Sequence, residues 1–80
     1  MIRLTKHARE SMATREIALD WITNAVISPD RVEPDPRHPE RYRSYKAIAS
    51  FGGRVLRVAH RREVEDIMII TVHFDRGARR

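Results

Sequence analysis

Ile67-Met68-Ile69-Ile70-Thr71-Val72-His73-Phe74 decides the fold. The run is rich in β-branched and aromatic residues and holds neither Gly nor Pro, which predicts a strand. A period of two puts Met68, Ile70, Val72 and Phe74 in one continuous apolar row, expected to face a layer of helices. Ile67, Ile69, Thr71 and His73 make the other row, which turns polar toward its end. Two earlier segments share the period. Tyr42 to Ala49 and Arg54 to His60 read as strands, with Phe51-Gly52-Gly53 as a hairpin turn between them and Arg61-Arg62-Glu63-Val64-Glu65-Asp66 leading into the last strand. Connections this short imply an antiparallel meander. In the middle strand Leu56 and Val58 form the natural core row, leaving Val55, Arg57 and Ala59 on the opposite face with His73.

Upstream the period is helical. Thr5 is a suitable N-cap for a helix from Lys6 to about Arg15, with Ala8 and Met12 one above the other on its inner side. A second helix from about Leu19 to Ile27 gathers Leu19, Ile22 and Val26, and Ser28-Pro29-Asp30 ends it. Glu16-Ile17-Ala18 must turn between them without a Gly or a capping hydroxyl. Glu33-Pro34-Asp35-Pro36-Arg37-His38-Pro39 is a stiff, extended connector. The expected fold is therefore α+β: two N-terminal helices packed on one face of a three- to four-stranded antiparallel sheet, a fourth strand falling at Ile2 to Leu4 or around Arg31 to Glu33. The expected organisation is one domain over residues 1–80, with a helical half at 5–28, a Pro-rich connector at 29–41, a sheet at 42–76 and a basic tail at 77–80. Eighty residues support only a modest core, which leaves room for a homodimer or a partner chain.

Charge points to the partner class. Residues 1–40 hold six Lys/Arg against seven Asp/Glu, residues 41–80 hold ten against four, and fourteen of the sixteen basic residues are Arg. A guanidinium offers a planar fork of donors to phosphate and keeps its charge when partly desolvated. Nucleic acid, RNA above all, is the leading expectation. The absence of Cys excludes disulfides and thiolate metal sites. His7, His38, His60 and His73 show no ligand spacing, so neither a metal nor another cofactor is expected. No apolar run approaches a membrane span, and the expectation is a cytoplasmic protein without a membrane partner.

RNA cleavage needs no metal. A base takes the ribose hydroxyl proton, a cation stabilises the charged phosphorane and an acid protonates the leaving oxygen. His73 can titrate near neutrality and Arg57 can hold charge, so these two are the candidate catalytic residues on one open sheet surface. His7, Arg9, Lys46, Arg43 and Arg76 are the candidate substrate contacts. Each has a plainer role open to it: a cross-strand ion pair for Arg57, a partly exposed sheet position for His73, capping and surface charge for His7 and Arg9, and a basic tail for Arg76, Arg79 and Arg80.

Thr5-Lys6-His7-Ala8-Arg9-Glu10-Ser11-Met12, Pro29-Asp30-Arg31-Val32-Glu33-Pro34-Asp35, Arg41-Tyr42, Tyr45-Lys46, Arg54-Val55-Leu56-Arg57-Val58 and Ile70-Thr71-Val72-His73-Phe74-Asp75-Arg76 occur in the order of a bacterial family. Through them the chain resembles domain of unknown function 4258. Its layout is similar to RelE/ParE-like and BrnT toxins, which implies a RelE-like fold, metal-independent endoribonuclease action on messenger RNA, in some cases on the ribosome, and an antitoxin as partner. The resemblance picks out His7, Arg9, Lys46, Arg57, His73, Asp75 and Arg76. The chain departs from the pattern at Glu16 and Ala18, where Gly and a capping hydroxyl are usual, and at His73, where an aromatic residue is common. Two other readings stand beside the ribonuclease: a non-catalytic nucleic-acid- or ribosome-binding module, and a protein-interaction domain using Trp21 and the Pro-rich loop.

Overall fold

A strand that is buried on one face and bare on the other needs a second layer on one side only, and two short helices supply it. The computed structural model describes residues 1–77, so Arg79 and Arg80 of the expected tail lie outside the described residues. The elements are β1 (Ile2–Leu4), α1 (Lys6–Thr14), α2 (Leu19–Ile27), β2 (Arg31–Pro34), β3 (Arg41–Ile48), a 3-10 turn (Ala49–Phe51), β4 (Arg54–Arg62) and β5 (Ile67–Phe74). The strands form one sheet in the order β1-β5-β4-β3-β2. The sheet is mixed: β1 runs parallel to β5 and every other neighbour is antiparallel. This corrects the expectation of three or four antiparallel strands. Both candidate extra strands form, and β1 is parallel because the chain crosses over through α1 and α2 before the meander begins. Among the described residues no helix is long and apolar enough to cross a membrane.

Thr5 joins β1 to α1. Its backbone N–H continues the parallel ladder by donating to the Ile69 carbonyl at 3.0 Å. Its Oγ1 accepts from the Ala8 N–H at 3.1 Å, capping the helix, and donates to the Ile70 carbonyl at 3.2 Å. At the other end the Ile17 N–H reaches the Met12 carbonyl at 2.9 Å and the Glu16 N–H reaches Ala13 at 3.3 Å. These are the two bonds of a Schellman motif, which needs a left-handed residue in the position that Glu16 fills with φ 53°. A non-glycine residue stands there at a conformational cost, offset by the burial of Ile17 directly after it. α2 starts from Ala18 with no side-chain cap, and at its far end Lys46 Nζ donates to the Ser28 carbonyl at 2.7 Å.

The core forms where the helices meet the sheet. Ala8, Ile17, Ile22 and Ala25 pack against Ile48, Leu56, Val58, Ile69 and Val72, with Trp21 and Phe74 partly buried at the margin. Trp21, Phe51 and Phe74 lie with ring centroids 5.0 to 6.1 Å apart, so the single Trp closes one end of the core.

Strict alternation fails once, in β5. Val58 pairs with Val72 and Ala59 with Thr71, but His60 pairs with Ile69, so Ile70 is an extra residue. Past this bulge the parity reverses. Val72 and Phe74 face the helices as expected, whereas Ile69 and Ile67 replace the expected Ile70 and Met68, and Ile69 is 0 % exposed.

Two stability measurements follow. In urea unfolding, Ile69→Ala should cost about 2–5 kcal/mol, the range for truncating a buried Ile, and Met68→Ala markedly less; the reverse order would mean unbroken alternation. Glu16→Gly should raise stability by about 1 kcal/mol through relief of the left-handed conformation, and a loss would show that the Glu16 side chain makes a compensating contact.

Candidate nucleic-acid interface

The face of the sheet turned away from the helices carries the odd-numbered residues of β3 and β4. Register aligns them into rows. Arg31 is opposite Tyr45, Tyr45 opposite Arg57, and Arg57 opposite His73, one row across four strands. At about 4.8 Å between strands the row spans about 14 Å. The next row is Glu33, Arg43, Ala59 and Thr71. Arg57 and His73, expected on one face with their separation left open, are therefore direct cross-strand partners, and Arg43 lies one row and one strand away from Arg57.

Each basic group in these rows has a carboxylate beside it. Arg57 Nη1 is 3.4 Å from Asp75, Arg31 Nε 3.4 Å from Glu33 and Arg43 Nε 3.7 Å from Asp35. Tyr45 is 5 % exposed although no helix lies over it. The Arg31 guanidinium sits 4.2 Å above its ring, and its hydroxyl donates to Glu33 Oε1 at 3.3 Å. Asp35 also fixes the Pro-rich loop, accepting from the Arg37 N–H at 2.8 Å and the His38 N–H at 3.2 Å. The Arg37 amide hydrogen bond, with help from Arg43 and His38, holds its carboxyl below the usual range against the opposing effect of burial.

His73 is the titratable group of the row. Partial burial pushes its proton affinity down, and the charges of Arg57, Arg15 and Arg43 add to this, while Asp75 opposes them. The imidazole is thus neutral at pH 7 in a field set by three guanidiniums.

The other candidate contacts are placed apart from this row. His7 and Arg9 lie on the exposed side of α1, whose buried residues are Ala8 and Ser11. Lys46 is on the helix-facing side, bound to the end of α2. Arg76 is exposed just beyond β5. Conversely, Tyr45, Arg31 and Arg15 join the site without having been singled out as contacts. Tyr45 was within reach, since it shares the parity of Arg43, but Arg31 sits in the connector and Arg15 acts from the end of α1, and no periodicity links either to Arg57.

On the helix-facing side lies a second, half-buried histidine. His60 Nε2 is 2.8 Å from Ser44 Oγ, and its ring stacks at 6.4 Å on Tyr42. Burial, then the charge of Arg62, lowers its proton affinity.

A two-layer α+β fold with an arginine-rich open sheet face defines the class: a small domain whose uncovered sheet face carries several guanidiniums and one half-buried imidazole. The family model described as Domain of unknown function (DUF4258) matches residues 4–74, and the chain belongs to that family. Neither a search of curated proteins nor one of solved structures found a match.

Both lowered histidines carry the same linkage. The unfolded chain binds their protons near pH 6.5 and the folded chain only below that, so the unfolded state holds more protons in the interval and stability rises with pH there. Thermal melting should therefore show constant stability above about pH 7 and a decline as pH falls through about 6.5, with a shallower decline in His60→Gln; a midpoint that rises on acidification would refute the burial of neutral imidazoles.

Proposed function

We propose that the protein is a toxin-like, metal-independent ribonuclease acting on messenger RNA from the open sheet face, with Arg57 and His73 as its catalytic residues. The observation that carries this reading is the cross-strand pairing of Arg57 with His73, a neutral imidazole beside a guanidinium, on a face that also carries Arg43 one strand away and Arg31 two strands away across Tyr45.

The chemistry needs only what is there. His73 takes the proton of a ribose 2′-hydroxyl, and the oxygen attacks the adjacent phosphorus as the bond to the 5′-oxygen breaks. A 2′,3′-cyclic phosphate results, the 5′-oxygen leaves with a proton from solvent, and the imidazolium returns its own to solvent. Arg57 stabilises the extra negative charge on the phosphorane, and Arg31 and Arg43 hold flanking phosphates. Arg76 extends the contact beyond β5. A RelE-like arrangement, substrate presented on the ribosome and an antitoxin partner covering the face belong to the same proposal. Its support is the sequence resemblance, the net charge of +5 and the absence of any need for a cofactor in the step.

A second reading is favoured by one observation. Arg31, Arg43 and Arg57 each already have a carboxylate within 4.0 Å. A phosphate must displace or share those partners, and a face that only binds RNA reversibly is well served by such pre-paired arginines.

Incubation of bulk RNA and of translating ribosomes with the protein in EDTA separates the two. The ribonuclease reading expects cleavage lost by at least about 100-fold, the usual scale for a general base, in His73→Ala and in Arg57→Ala, and growth arrest when the wild type is expressed alone. The rate should hold down through about pH 6.5, where a free imidazole is half protonated, and fall only at lower pH, because the base must be unprotonated and its proton affinity is lowered. Intact RNA with retained binding leaves the non-catalytic module; cleavage surviving in both variants places the chemistry elsewhere.

A further inference from the structure

We propose a second phosphate subsite on the same face, formed by Arg41 and Arg61, which makes the ligand a single strand of several nucleotides running along β4. The proposal rests on the reading of this face as an RNA site and deepens it. By register and parity the face carries Arg3, Arg31, Arg41, Arg43, Arg57 and Arg61. Five of them have a carboxylate close by: Arg3 with Asp66 at 3.5 Å, Arg61 with Glu63 at 3.0 Å, and the three pairs described above. Among the described residues Arg41 has no ion pair, and its Nε is buried without a hydrogen-bond partner.

That combination is costly as it stands. A buried guanidinium N–H left unbonded forfeits its hydration. Arg41 and Arg61 are also direct cross-strand partners, a like-charge pairing that destabilises a sheet. An anion between them relieves both costs. Arg61 is already oriented, with Nε and Nη2 directed to one Glu63 oxygen at 3.2 and 3.0 Å, and the remaining donors of its guanidinium can reach a second acceptor.

Geometry separates this subsite from the one at His73. Arg57 and Arg61 are four residues apart on β4, about 13 Å along the strand. Their guanidiniums diverge, since Arg57 turns to Asp75 past the end of β5 and Arg61 to Glu63 at the opposite end of the hairpin. One phosphate cannot serve both. Ala59, the small residue between them, keeps the path low, and Arg43 flanks it from β3. A stacked strand advances about 3.4 Å per nucleotide, so the two subsites are several nucleotides apart.

The test is fluorescence anisotropy with non-cleavable 2′-O-methyl RNA, as a dinucleotide and as a strand of about ten nucleotides. Arg41→Met keeps the aliphatic stem and removes the charge; Arg61→Met is the second variant should the first melt abnormally. Either should weaken the long strand about tenfold, the scale of a lost charged hydrogen bond, leave the dinucleotide unchanged, and reduce the salt slope for the long strand by about 0.7. Arg57→Met should weaken both lengths. Affinity for the long strand equal to wild type, or equal losses at both lengths, overturns the subsite while the functional reading stands. Binding of poly-glutamate as tight as RNA, with the same dependence on Arg41, overturns it in favour of a protein carboxylate. Failure of the wild type to bind either RNA overturns the functional reading and the subsite together.

Discussion

The hydrogen-bond ladder between β4 and β5 is the constraint on which the rest depends, because it decides which side chains meet the helices and which meet solvent. β4 interleaves the core residues Leu56 and Val58 with Arg57 and Arg61, so a slip of one position would bury Arg57 and expose Leu56. The bulge at Ile70 lets the ladder satisfy two demands at once. Above it Val72 and Phe74 reach α1 and α2, and His73 falls opposite Arg57. Below it Ile69 and Ile67 are turned inward, where β1 and the start of α1 close the core. Thr5 holds that junction by bonding to Ile69 and Ile70, on both sides of the parity change.

The open face is held by electrostatics of a modest kind. Partly exposed ion pairs at 3.4 to 3.7 Å contribute roughly 0–1 kcal/mol each. They are poor candidates for the stability of the fold and better understood as restraints on where each guanidinium points. A phosphate offers stronger, charge-assisted bonds to the same donors. The carboxylates thus set a threshold that a ligand has to exceed. They also offset the mutual repulsion of five of the six arginines on the face in its absence, Arg41 being the exception.

The class of fold was legible because periodicity and breakers agree: Thr5, Ser28-Pro29 and Gly52-Gly53 mark boundaries that the structure respects within a residue or two. Gly52 and Gly53 take φ of 67° and 73°, so the hairpin turn was written in residue type. The bulge was not legible, because Ile67, Met68, Ile69 and Ile70 are all apolar and alternation carries no information among residues alike in hydropathy. Nor was the parallel strand, since a three-residue segment gains its partner only through a crossover of more than fifty residues of chain between Leu4 and Ile67. For the site, parity placed Arg57 and His73 on one face and register made them neighbours. Lys46 shares parity with Leu56 and Val58 and so falls on the helix-facing side, where its Nζ donates to the carbonyl at the end of α2, a partner that no periodicity announces.

The choice of arginine over lysine on the open face has a structural consequence besides the proposed phosphate contact. No helix covers that side of the sheet, yet Tyr45 is buried and Val55 is 9 % exposed. The cover over Tyr45 is the Arg31 guanidinium, whose carbon lies 4.2 Å from the centre of its ring. A long side chain that rests its stem and planar head on apolar surface while presenting donors at its edge replaces a missing third layer. The same residues therefore seal the sheet and carry the donors on which the proposed RNA contact relies. Truncation to Ala removes both roles together, whereas Met retains the stem, so the contrast between the two substitutions at a single position divides packing from charge. For Arg31 the packing share should be the larger, because its plane is engaged with Tyr45. For Arg41 the charge should dominate, because its buried Nε has no hydrogen-bond partner among the described residues.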